Sequence, residues 1–286
     1  MRILRYAAFS ANPAGGNPAG VVLDATGMDT DTMLATAAEV GYSETAFAVP
    51  EAENVLNVRY FSPLVEVPFC GHATIATAVA HAERHGPAEL LFRTAAGPIP
   101  VRTHREADGS MVATLTSVPP RTRPLGPELA ALLAALHWHP DDLDPLLPPR
   151  VAYAGAWHPI IAARTRGRLA DLDYDFDALA ALMREHAWTT IDLVRRAGPT
   201  EFHARNPFPP GGIHEDPATG AAAAALGGYL RELGLVDVPA TLTVHQGADM
   251  GRPGTITVSI PADPASGISV SGTAVAIEAA AAQPNP

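Results

Sequence analysis

The 286-residue sequence predicts an α+β protein made of two similar domains, each a sheet wrapped round a central helix. Short strand-like runs bounded by Gly and Pro alternate with a few helices along the chain. In each half, a loop with an acidic residue leads into a helix of small residues through an Ala-Thr pair, Ala73-Thr74 and Ala218-Thr219. Such helices can be packed closely on all sides. A simpler interpretation also stands, because Ala-rich helices are common in this composition.

The first part of the chain mixes strands with two helices. The GGNP turn signal separates the first two strands, and the first helix follows a capping Asp29 or Thr30 and ends at Gly41. The second helix ends at Gly86. The predicted strands are Ile3–Phe9, Gly20–Leu23, Glu44–Val49, Val55–Phe61, Leu90–Arg93, Ile99–Thr103 and Met111–Leu115, and the predicted helices are Asp31–Val40 and Gly71–His85.

A Pro-rich segment, residues 117–128, is the predicted domain boundary. Strands and helices alternate again after it, which indicates a second domain of the same kind. The predicted strands are Val151–Tyr153, Ile160–Ala163, Ile191–Val194, Glu201–Ala204, Leu242–His245, Thr255–Ile260 and Ile268–Ile277, and the predicted helices are Leu129–Leu136, Asp177–Ala187 and Ala218–Leu233.

The composition excludes several classes of enzyme. All 19 basic residues are Arg, so the chain has no Lys. It therefore lacks the Schiff-base residue of a pyridoxal-phosphate enzyme, the Lys of a P-loop or a protein kinase, and any amine nucleophile. The single Cys, Cys70, excludes an internal disulfide framework, a Cys-rich zinc site and a mechanism that uses two thiols.

Charge and hydropathy argue against two kinds of partner. The formal net charge of −11 disfavours nucleic acid and anionic membrane surfaces. No apolar run approaches the roughly 18 residues of a membrane helix, and the N-terminus lacks the apolar stretch of a signal peptide. A cytoplasmic location is therefore expected, and an unpaired Cys70 agrees with a reducing environment.

Three short clusters carry side chains suited to proton transfer. Glu44 stands between Ser43 and an apolar run, so its carboxyl is predicted to be partly withdrawn from water and able to move a proton near neutrality. The alternative interpretation is that Glu44 is simply a solvent-exposed residue at the start of a strand. His72 begins the first small-residue helix, where it is suited to bond a substrate or simply to pack. Asp216, which precedes Pro217, has the pattern of a helix N-cap.

Together these clusters resemble the PhzF-like isomerase family of phenazine biosynthesis, which shares the fold of diaminopimelate epimerase. The resemblance covers essentially the whole chain, with separated motifs in the same order. The matching segments are F-x-x-N-P-x-G-G-N-P-A-G-V at residues 9–21, Y-S-E-T around Glu44, R-Y-F-S-P-x-x-E-V-P-F-C-G-H-A-T at 59–74, E-D-P-A-T-G at 215–220, and Q-G followed by G-R-P within 246–253.

The resemblance implies a domain arrangement as well as a fold. Two similar domains, each a mostly antiparallel sheet curled round a central helix, would hold the active site in the cleft between them. Residues 1–118 would form the N-terminal domain, completed by about 268–286, and residues 119–267 would form the C-terminal domain. Relatives are commonly dimers, so a homodimer is expected.

The resemblance also implies a cofactor-independent isomerase that acts on a small carboxylic acid, of the kind found in secondary metabolism, without a metal ion. Glu44 would remove a proton from carbon and return it elsewhere on the same face, while His72 and Asp216 would position polar groups and assist the transfer. Backbone N–H groups at the two helix starts would hold a carboxylate and stabilise enolate charge. The implied substrate-binding residues are Asn17, Ser43, Gly71, Thr219, Gly220 and Ala221.

One position departs from the family pattern. Ala221 stands where the family often has Ser, so the backbone donor is kept and the hydroxyl is lost. A hydrogen bond to the substrate is therefore expected to be missing. This departure bears on the identity of the substrate more than on the type of reaction.

Cys70 supports an alternative function. Racemising relatives of the same fold use two thiols, and Cys70 stands at the position of their first. A dehydratase or epimerase of a proline-like amino acid that depends on Cys70, with Thr219 opposite, therefore remains open. The competing interpretation is that Cys70 is a small buried hydrophobe under the helix start.

Two further alternatives remain. A metal enzyme is suggested by three local groups of potential ligands, although the first lacks an obvious third ligand. A non-catalytic small-molecule binding protein is favoured slightly by Ala221, but the presence of Glu44, His72 and Asp216 together argues against it. The potential ligand groups are His81 with His85, His137 with His139, and His214 with Glu215 and Asp216.

Overall fold

The computed structural model describes residues 2–278 and divides the chain into two compact units. Of the described residues, 2–114 and 272–278 form unit 1, and Leu115–Ser271 form unit 2. Residues 279–286, the end of the segment predicted to complete the N-terminal domain, lie outside the described residues. None of the helices between residues 2 and 278 has the length and apolar character that a membrane span requires.

The secondary structure is mixed in both units. In chain order, the strands that begin in unit 1 are β1 (Leu4–Ala8), β2 (Asn17–Val22), β3 (Glu44–Ala52), β4 (Val55–Phe61), β5 (Glu66–Val67), β6 (Glu89–Thr94), β7 (Gly97–Arg105) and β8 (Met111–Thr116). The strands that begin in unit 2 are β9 (Arg121–Pro124), β10 (Arg150–Tyr153), β11 (Trp157–Ala162), β12 (Asp192–Arg196), β13 (Glu201–Pro207), β14 (Glu215–Asp216), β15 (Ala240–Gln246), β16 (Gly254–Ile260) and β17 (Ser269–Ala276). The helices are α1 (Thr30–Val40), α2 (Gly71–His85), α3 (Glu128–Ala135), α4 (Arg166–Ala170), α5 (Phe176–Glu185) and α6 (Gly220–Glu232).

In unit 1 the strands pair in the order β17–β1–β2–β3–β4–β6–β7, with the short β5 added to β4. The β2–β3 and β4–β6 pairs are parallel, and the remaining pairs are antiparallel. Parallel neighbours need a crossover connection, and the chain supplies one through α1 and one through α2. The crossover through α2 returns the chain to the sheet on which α2 packs.

In unit 2 the order is β9–β10–β11–β12–β13–β15–β16–β17, with the short β14 added to β13. The β11–β12 and β13–β15 pairs are parallel, and the others are antiparallel. The crossover between β11 and β12 contains α4 and α5, and the crossover between β13 and β15 contains α6. Unit 2 therefore repeats the alternation of antiparallel pairs and parallel crossovers that unit 1 shows.

The two small-residue helices are the most buried helices of their units. Ten residues of α2 are buried, and α2 packs against β1, β2, β3 and β7. Ten residues of α6 are buried as well, and α6 packs against β9, β10, β11 and β16. Their small Ala, Gly and Thr residues allow strands to approach closely, so most residues of each helix are buried within its own unit.

Several short elements differ from the local predictions. The Pro-rich segment contains strand β9, which pairs with β10, and Pro is tolerated at the edge of a sheet. Helix α6 begins at Gly220 rather than at Ala218, and the short helix α4 was not predicted. By contrast, α2 has the predicted bounds, and α1 begins one residue early after Asp29, whose carboxylate accepts from the Thr32 N–H at 2.8 Å.

Candidate active site

A cluster of polar side chains surrounds the start of α2. We call Asn17, Ser43, Glu44, Cys70 and His72 the Glu44 cluster. The parallel pairing of β2 with β3 brings the beginnings of the two strands together, and Asn17 and Glu44 are their first residues. Cys70 and His72 flank the first residue of α2. The structure therefore gathers four of the predicted site residues, together with Cys70, in unit 1.

The His72 ring is bonded at both nitrogens. Nδ2 of Asn17 lies 3.1 Å from Nδ1, so Asn17 donates to Nδ1 and the ring proton is on Nε2. Nε2 lies 3.4 Å from Oε2 of Glu44 and 3.4 Å from Oγ of Ser43. The buried Asn17 thus selects the tautomer that carries its proton on Nε2, the nitrogen that lies close to both Ser43 and Glu44.

Cys70 is in direct contact with both titratable members of the cluster. Its Sγ lies 3.5 Å from Oε2 of Glu44 and 3.3 Å from Nδ1 of His72. The side chain is 7% exposed. Its interpretation as a residue that only packs beneath the helix start is therefore incomplete, because the thiol is within hydrogen-bonding distance of a carboxylate and an imidazole.

A buried hydrogen-bond chain holds the start of α2. The Thr74 hydroxyl donates to the Cys70 carbonyl at 2.7 Å and accepts from the Tyr60 hydroxyl at 2.7 Å. Burial raises the pKa of Tyr60 above its usual value, so the phenol keeps its proton and remains a donor. A Cβ built at Gly71 would meet no described atom within 4 Å, so open space borders this helix start.

Two further predicted residues, Asp216 and Thr219, lie together in unit 2, and with Gln246 they form what we call the Asp216 cluster. Thr219 Oγ1 donates to Oδ2 of Asp216 at 2.5 Å. The Gln246 amide accepts from the Thr219 N–H at 3.0 Å and donates to the Asp216 carbonyl at 2.8 Å. These bonds fix the segment that enters α6, whose first two residues are Gly220 and Ala221.

The predicted N-cap role of Asp216 was wrong. Asp216 lies in strand β14, where it pairs with Asn206, and the residue that precedes α6 is Thr219. The backbone pairing with β13 holds Asp216 extended, so the helix begins four residues later, at Gly220. The Asp216 side chain accepts a hydrogen bond from the Thr219 hydroxyl.

Gln246 was not predicted as a site residue, although it stands in the Q-G motif. Gly247 has φ +80°, and a Cβ there would lie 2.6 Å from the Pro217 carbonyl oxygen and 2.4 Å from that of Arg252. Only Gly fits such a position. The close approach brings β15 against the loop before α6, so the Q-G pair was a sequence signal for this contact.

A buried ion pair anchors the residue before Asp216. The Arg205 guanidinium donates to both carboxylate oxygens of Glu215, with Nε at 2.9 Å and a terminal nitrogen at 2.5 Å. A further N–H donates to the Ala170 carbonyl at 2.6 Å. Glu215 is therefore engaged by Arg205 and is not available as the metal ligand that one alternative required.

A second buried network lies beside β14. His158 donates to the Thr190 hydroxyl at 2.9 Å, Thr190 donates to Oδ1 of Asn206 at 2.6 Å, and Asn206 donates to Asp192 at 3.1 Å. Burial lowers the pKa of His158 to about 4 and raises the pKa of Asp192 to about 7. Both groups are therefore neutral between about pH 4 and about pH 7. The cause is burial, because a charge on either side chain would be costly to bury.

Replacing Asp192 by Asn is expected to stabilise the protein more as the pH rises. The carboxyl has a pKa of about 7 in the fold against a reference value of 3.8, so the stability it contributes is present below about pH 4 and is lost as the pH rises to about 7. Asn stays neutral and keeps an acceptor for Asn206. In urea unfolding, the gain of the variant over the parent is expected to grow to the order of 3 kcal/mol between about pH 4.5 and about pH 7.5.

The low pKa of His158 changes the free energy of unfolding with pH in the opposite direction. The stability that the neutral imidazole contributes is lost as the pH falls below the reference value of 6.5. His158 is present in both proteins, so it cancels when parent and variant are compared at each pH. A difference in unfolding free energy that stays constant with pH would show that Asp192 is ionised throughout.

The predicted metal-ligand groups do not form a site. The rings of His81 and His85 lie 4.5 Å apart without a third ligand, and His137 and His139 are exposed beside single Asp residues. Among residues 2–278, the ligand atoms that do converge belong to Glu44, Cys70 and His72, all within 4.8 Å of one another.

Comparisons with known proteins agree with the resemblance seen in the motifs. The sequence model of the PhzC-PhzF family, described as phenazine biosynthesis-like protein, matches residues 6–280. The uncharacterized isomerase YddE of Escherichia coli K12 is 34% identical over 277 residues, which cover 94% of this chain and 93% of YddE. The trans-2,3-dihydro-3-hydroxyanthranilate isomerase of Pseudomonas chlororaphis is 31% identical over 251 residues, with coverage of 86% and 85%.

Solved structures give the same result. A phenazine biosynthesis protein of the PhzF family from Bacillus anthracis superposes with a TM-score of 0.87 at 27% identity, over 97% of this chain and 98% of that one. A hydroxyproline epimerase from Agrobacterium vitis shares the fold at 13% identity, with a TM-score of 0.65 and coverage of 96% and 90%. With the match over residues 6–280, these findings establish that the chain belongs to the phenazine biosynthesis-like (PhzF) family of isomerases.

Proposed function

We propose that the protein is a cofactor-independent isomerase that moves a proton between two carbons of a small carboxylic acid, with Glu44 as the base. The observation that carries this proposal is the setting of the Glu44 carboxylate. Its side chain is 14% exposed, and one oxygen lies 3.4 Å from Nε2 of His72 and 3.5 Å from Sγ of Cys70. A carboxylate that is held by donors and still reaches solvent can take a proton from carbon and return it.

The proposed reaction begins when Glu44 removes a proton from an acidic C–H bond. The electron pair of that bond moves towards the substrate carboxyl as an enolate, and the first N–H groups of α2 together with the His72 N–H supply donors for the charge. The neutral Glu44 then returns the proton to another carbon on the same face. The net change is the shift of one hydrogen and one double bond, so neither an oxidant nor a reductant is consumed.

We assign the Asp216 cluster a supporting role in the same reaction. The bonds of Gln246 and Asp216 to Thr219 hold the entrance of α6, and the N–H groups of Gly220 and Ala221 supply donors for a carboxylate. Asp216 itself would position polar groups of the substrate and assist proton transfer.

The proposal includes the arrangement implied by the resemblance. Two domains, 1–118 with about 268–286 and 119–267, would each consist of a mostly antiparallel sheet curled round its central helix, and would hold the substrate in the cleft between them. The strand pairing within each unit and the burial of its central helix support the part of this arrangement that concerns each domain by itself. A homodimer, a cytoplasmic location and the absence of a nucleic-acid partner stay predictions.

We propose a cyclic or dienoic amino acid as the class of substrate. The relative from Pseudomonas chlororaphis is named for trans-2,3-dihydro-3-hydroxyanthranilate, which makes this compound the first to test. Ala221 offers no hydroxyl where relatives often have Ser. The preferred substrate is therefore expected to differ at the group that such a hydroxyl would bond.

Proton NMR in deuterium oxide tests the reaction directly. We expect the protein to exchange the acidic C–H of at least one acid in a panel of cyclic and dienoic carboxylates, and to isomerise it. Because one carboxyl removes and returns the proton, the product is expected to retain part of the original hydrogen. Retention of the original hydrogen would show that one group carries the proton, whereas full incorporation of solvent deuterium would show that the carboxyl exchanges its proton before returning it. The absence of exchange with every acid would contradict the proposal.

Cys70 as the base is the second candidate function, favoured by the 3.3 Å contact of its Sγ with Nδ1 of His72. The Cys70→Ala variant separates the two. If Glu44 is the base, turnover is expected to fall by less than about tenfold, because the carboxylate remains 3.4 Å from Nε2 of His72, whereas loss of a catalytic base costs about 10²–10⁴-fold. A loss of this larger size with an unchanged melting temperature would favour the thiol.

A further inference from the structure

We propose that Glu44, Cys70 and His72 form a binding site for a borderline-soft divalent cation, Zn²⁺ in the first instance, and that the bound ion switches the isomerase off. These residues offer one carboxylate, one thiolate and one imidazole, which are the ligand types that zinc takes. The binding part stands on the geometry of the three side chains. The inhibitory part rests on the proposed function of Glu44.

The separations of the ligand atoms match a tetrahedral zinc site. With metal–ligand bonds of about 2.3 Å to sulfur and about 2.1 Å to nitrogen and oxygen, tetrahedral edges are about 3.6 Å from sulfur and about 3.4 Å between nitrogen and oxygen. Here Sγ lies 3.7 Å from Nε2 and 3.5 Å from Oε2, and Nε2 lies 3.4 Å from Oε2. The three atoms therefore span one face of the tetrahedron, which leaves the fourth position for water or a ligand.

The balance of charge favours a dication at this place. A thiolate and a carboxylate carry two negative charges, and Zn²⁺ neutralises both, so the loaded site has no net charge. All three side chains are at most 14% exposed, where an uncompensated charge is costly. Mg²⁺ and Ca²⁺ prefer six or more oxygen ligands and are not expected to bind.

Binding requires four small changes in the cluster. The Cys70 thiol releases its proton to solvent as sulfur bonds to the metal. The His72 ring proton moves from Nε2 to Nδ1, and the Asn17 amide turns so that its oxygen accepts it. Because Sγ also lies 3.3 Å from Nδ1, the imidazole must turn about its Cβ–Cγ bond to aim Nε2 at the metal. One proton is therefore released for each ion bound.

The bound ion would block the proposed reaction at its first step. The Glu44 oxygen that faces His72 becomes a metal ligand, so this lone pair no longer accepts a proton from carbon. The ion also binds Nε2 of His72, so this nitrogen no longer carries the N–H that would stabilise the enolate charge. Inhibition is therefore expected to be complete at one ion per chain and to reverse when a chelator removes the ion.

Titration of the metal-free full-length protein with Zn²⁺ against a chromophoric chelator tests binding. We expect one tight site per chain and a fall in affinity of at least about 100-fold in Cys70→Ser, since even the loss of an outer partner of a ligand costs about 10–100-fold. Titration with Co²⁺ is expected to produce a thiolate charge-transfer absorption in the parent that is absent from Cys70→Ser. The His72→Asn variant gives a second test if Cys70→Ser does not fold.

His85→Asn is the matched control, because it removes another imidazole from α2 without touching the cluster. Its affinity is expected to equal that of the parent. Absence of a tight site, equal affinity in the parent and both folded cluster variants, or a Co²⁺ spectrum without the thiolate absorption would each overturn the proposed site.

Activity distinguishes the two proposals. Loss of turnover at one Zn²⁺ per chain, restored by the chelator, supports both. If one ion binds through Cys70 but turnover is unchanged, the site stands and Glu44 is not the base. If no ion binds while Glu44→Gln is inactive, the catalytic proposal stands and the metal proposal fails.

Discussion

Replacing Glu44 by Gln is expected to lower turnover by about 10³-fold or more, with little change in folding and substrate binding. Gln has nearly the same size as Glu, and its amide oxygen can still accept the His72 N–H that lies 3.4 Å from the carboxylate. The amide has no lone pair basic enough to remove a proton from carbon. The variant should therefore retain the shape of the cluster and lose the chemical step.

Three measurements separate chemistry from binding. Proton NMR gives kcat and the rate of C–H exchange, calorimetric titration gives the affinity for the substrate, and thermal unfolding gives Tm. We expect kcat and the rate of C–H exchange to fall together. The affinity for the substrate and Tm are expected to stay close to the parent values. A fall in affinity alone would indicate that Glu44 binds the substrate without reacting with it.

Glu51→Gln is the matched control, because Glu51 lies in the same strand as Glu44. Its carboxylate pairs with Arg93 at 3.1 Å on the surface, where the side chains are 39% and 60% exposed. Turnover of this variant is expected to equal that of the parent. Parent-like turnover in Glu44→Gln would place the base elsewhere, and Cys70 would then be the next residue to test.

The sequence predicted the regular elements well where local signals agree. Helix α2 has the predicted bounds because a run rich in Ala begins after Gly71 and Gly86 ends the helix after His85. The signals failed where pairing between strands decides the structure. Strand β9 forms among prolines because β10 offers it a partner, and β14 extends Asp216 because β13 pairs with it. Neither partner is visible in the local sequence.

The candidate site could be predicted in part. Motif order nominated Glu44, His72 and Asp216 as candidates, and their role stays a prediction, whereas their contacts depend on which segments meet. The bond between Asn17 and His72 joins residues 55 positions apart, and that between Gln246 and Thr219 joins residues 27 apart. The contacts of the Cys70 thiol likewise depend on where β3 begins relative to α2. Composition and spacing carry no information on such distances.

Replacing Arg205 by Met is expected to lower the free energy of unfolding by about 3–5 kcal/mol. The Arg205 and Glu215 side chains are 9% and 2% exposed, and the guanidinium satisfies both carboxylate oxygens. The variant leaves the Glu215 carboxylate buried without its partner. Urea unfolding measures the loss, and the exposed pair of Arg93 with Glu51 serves as control, since breaking it by Arg93→Met should cost less than about 1 kcal/mol.

The double variant Arg205→Met, Glu215→Leu tests what the pair does besides stabilising the fold. Two apolar side chains remove the unpaired charge, so most of the stability is expected to return. Turnover is expected to stay about tenfold below the parent value, because the fork of Arg205 fixes the direction of β14 and apolar contacts do not. Full recovery of both stability and turnover would show that the pair only fills buried space. Recovery of stability alone would show that a charged pair was retained beside Asp216 to orient the strand that carries it.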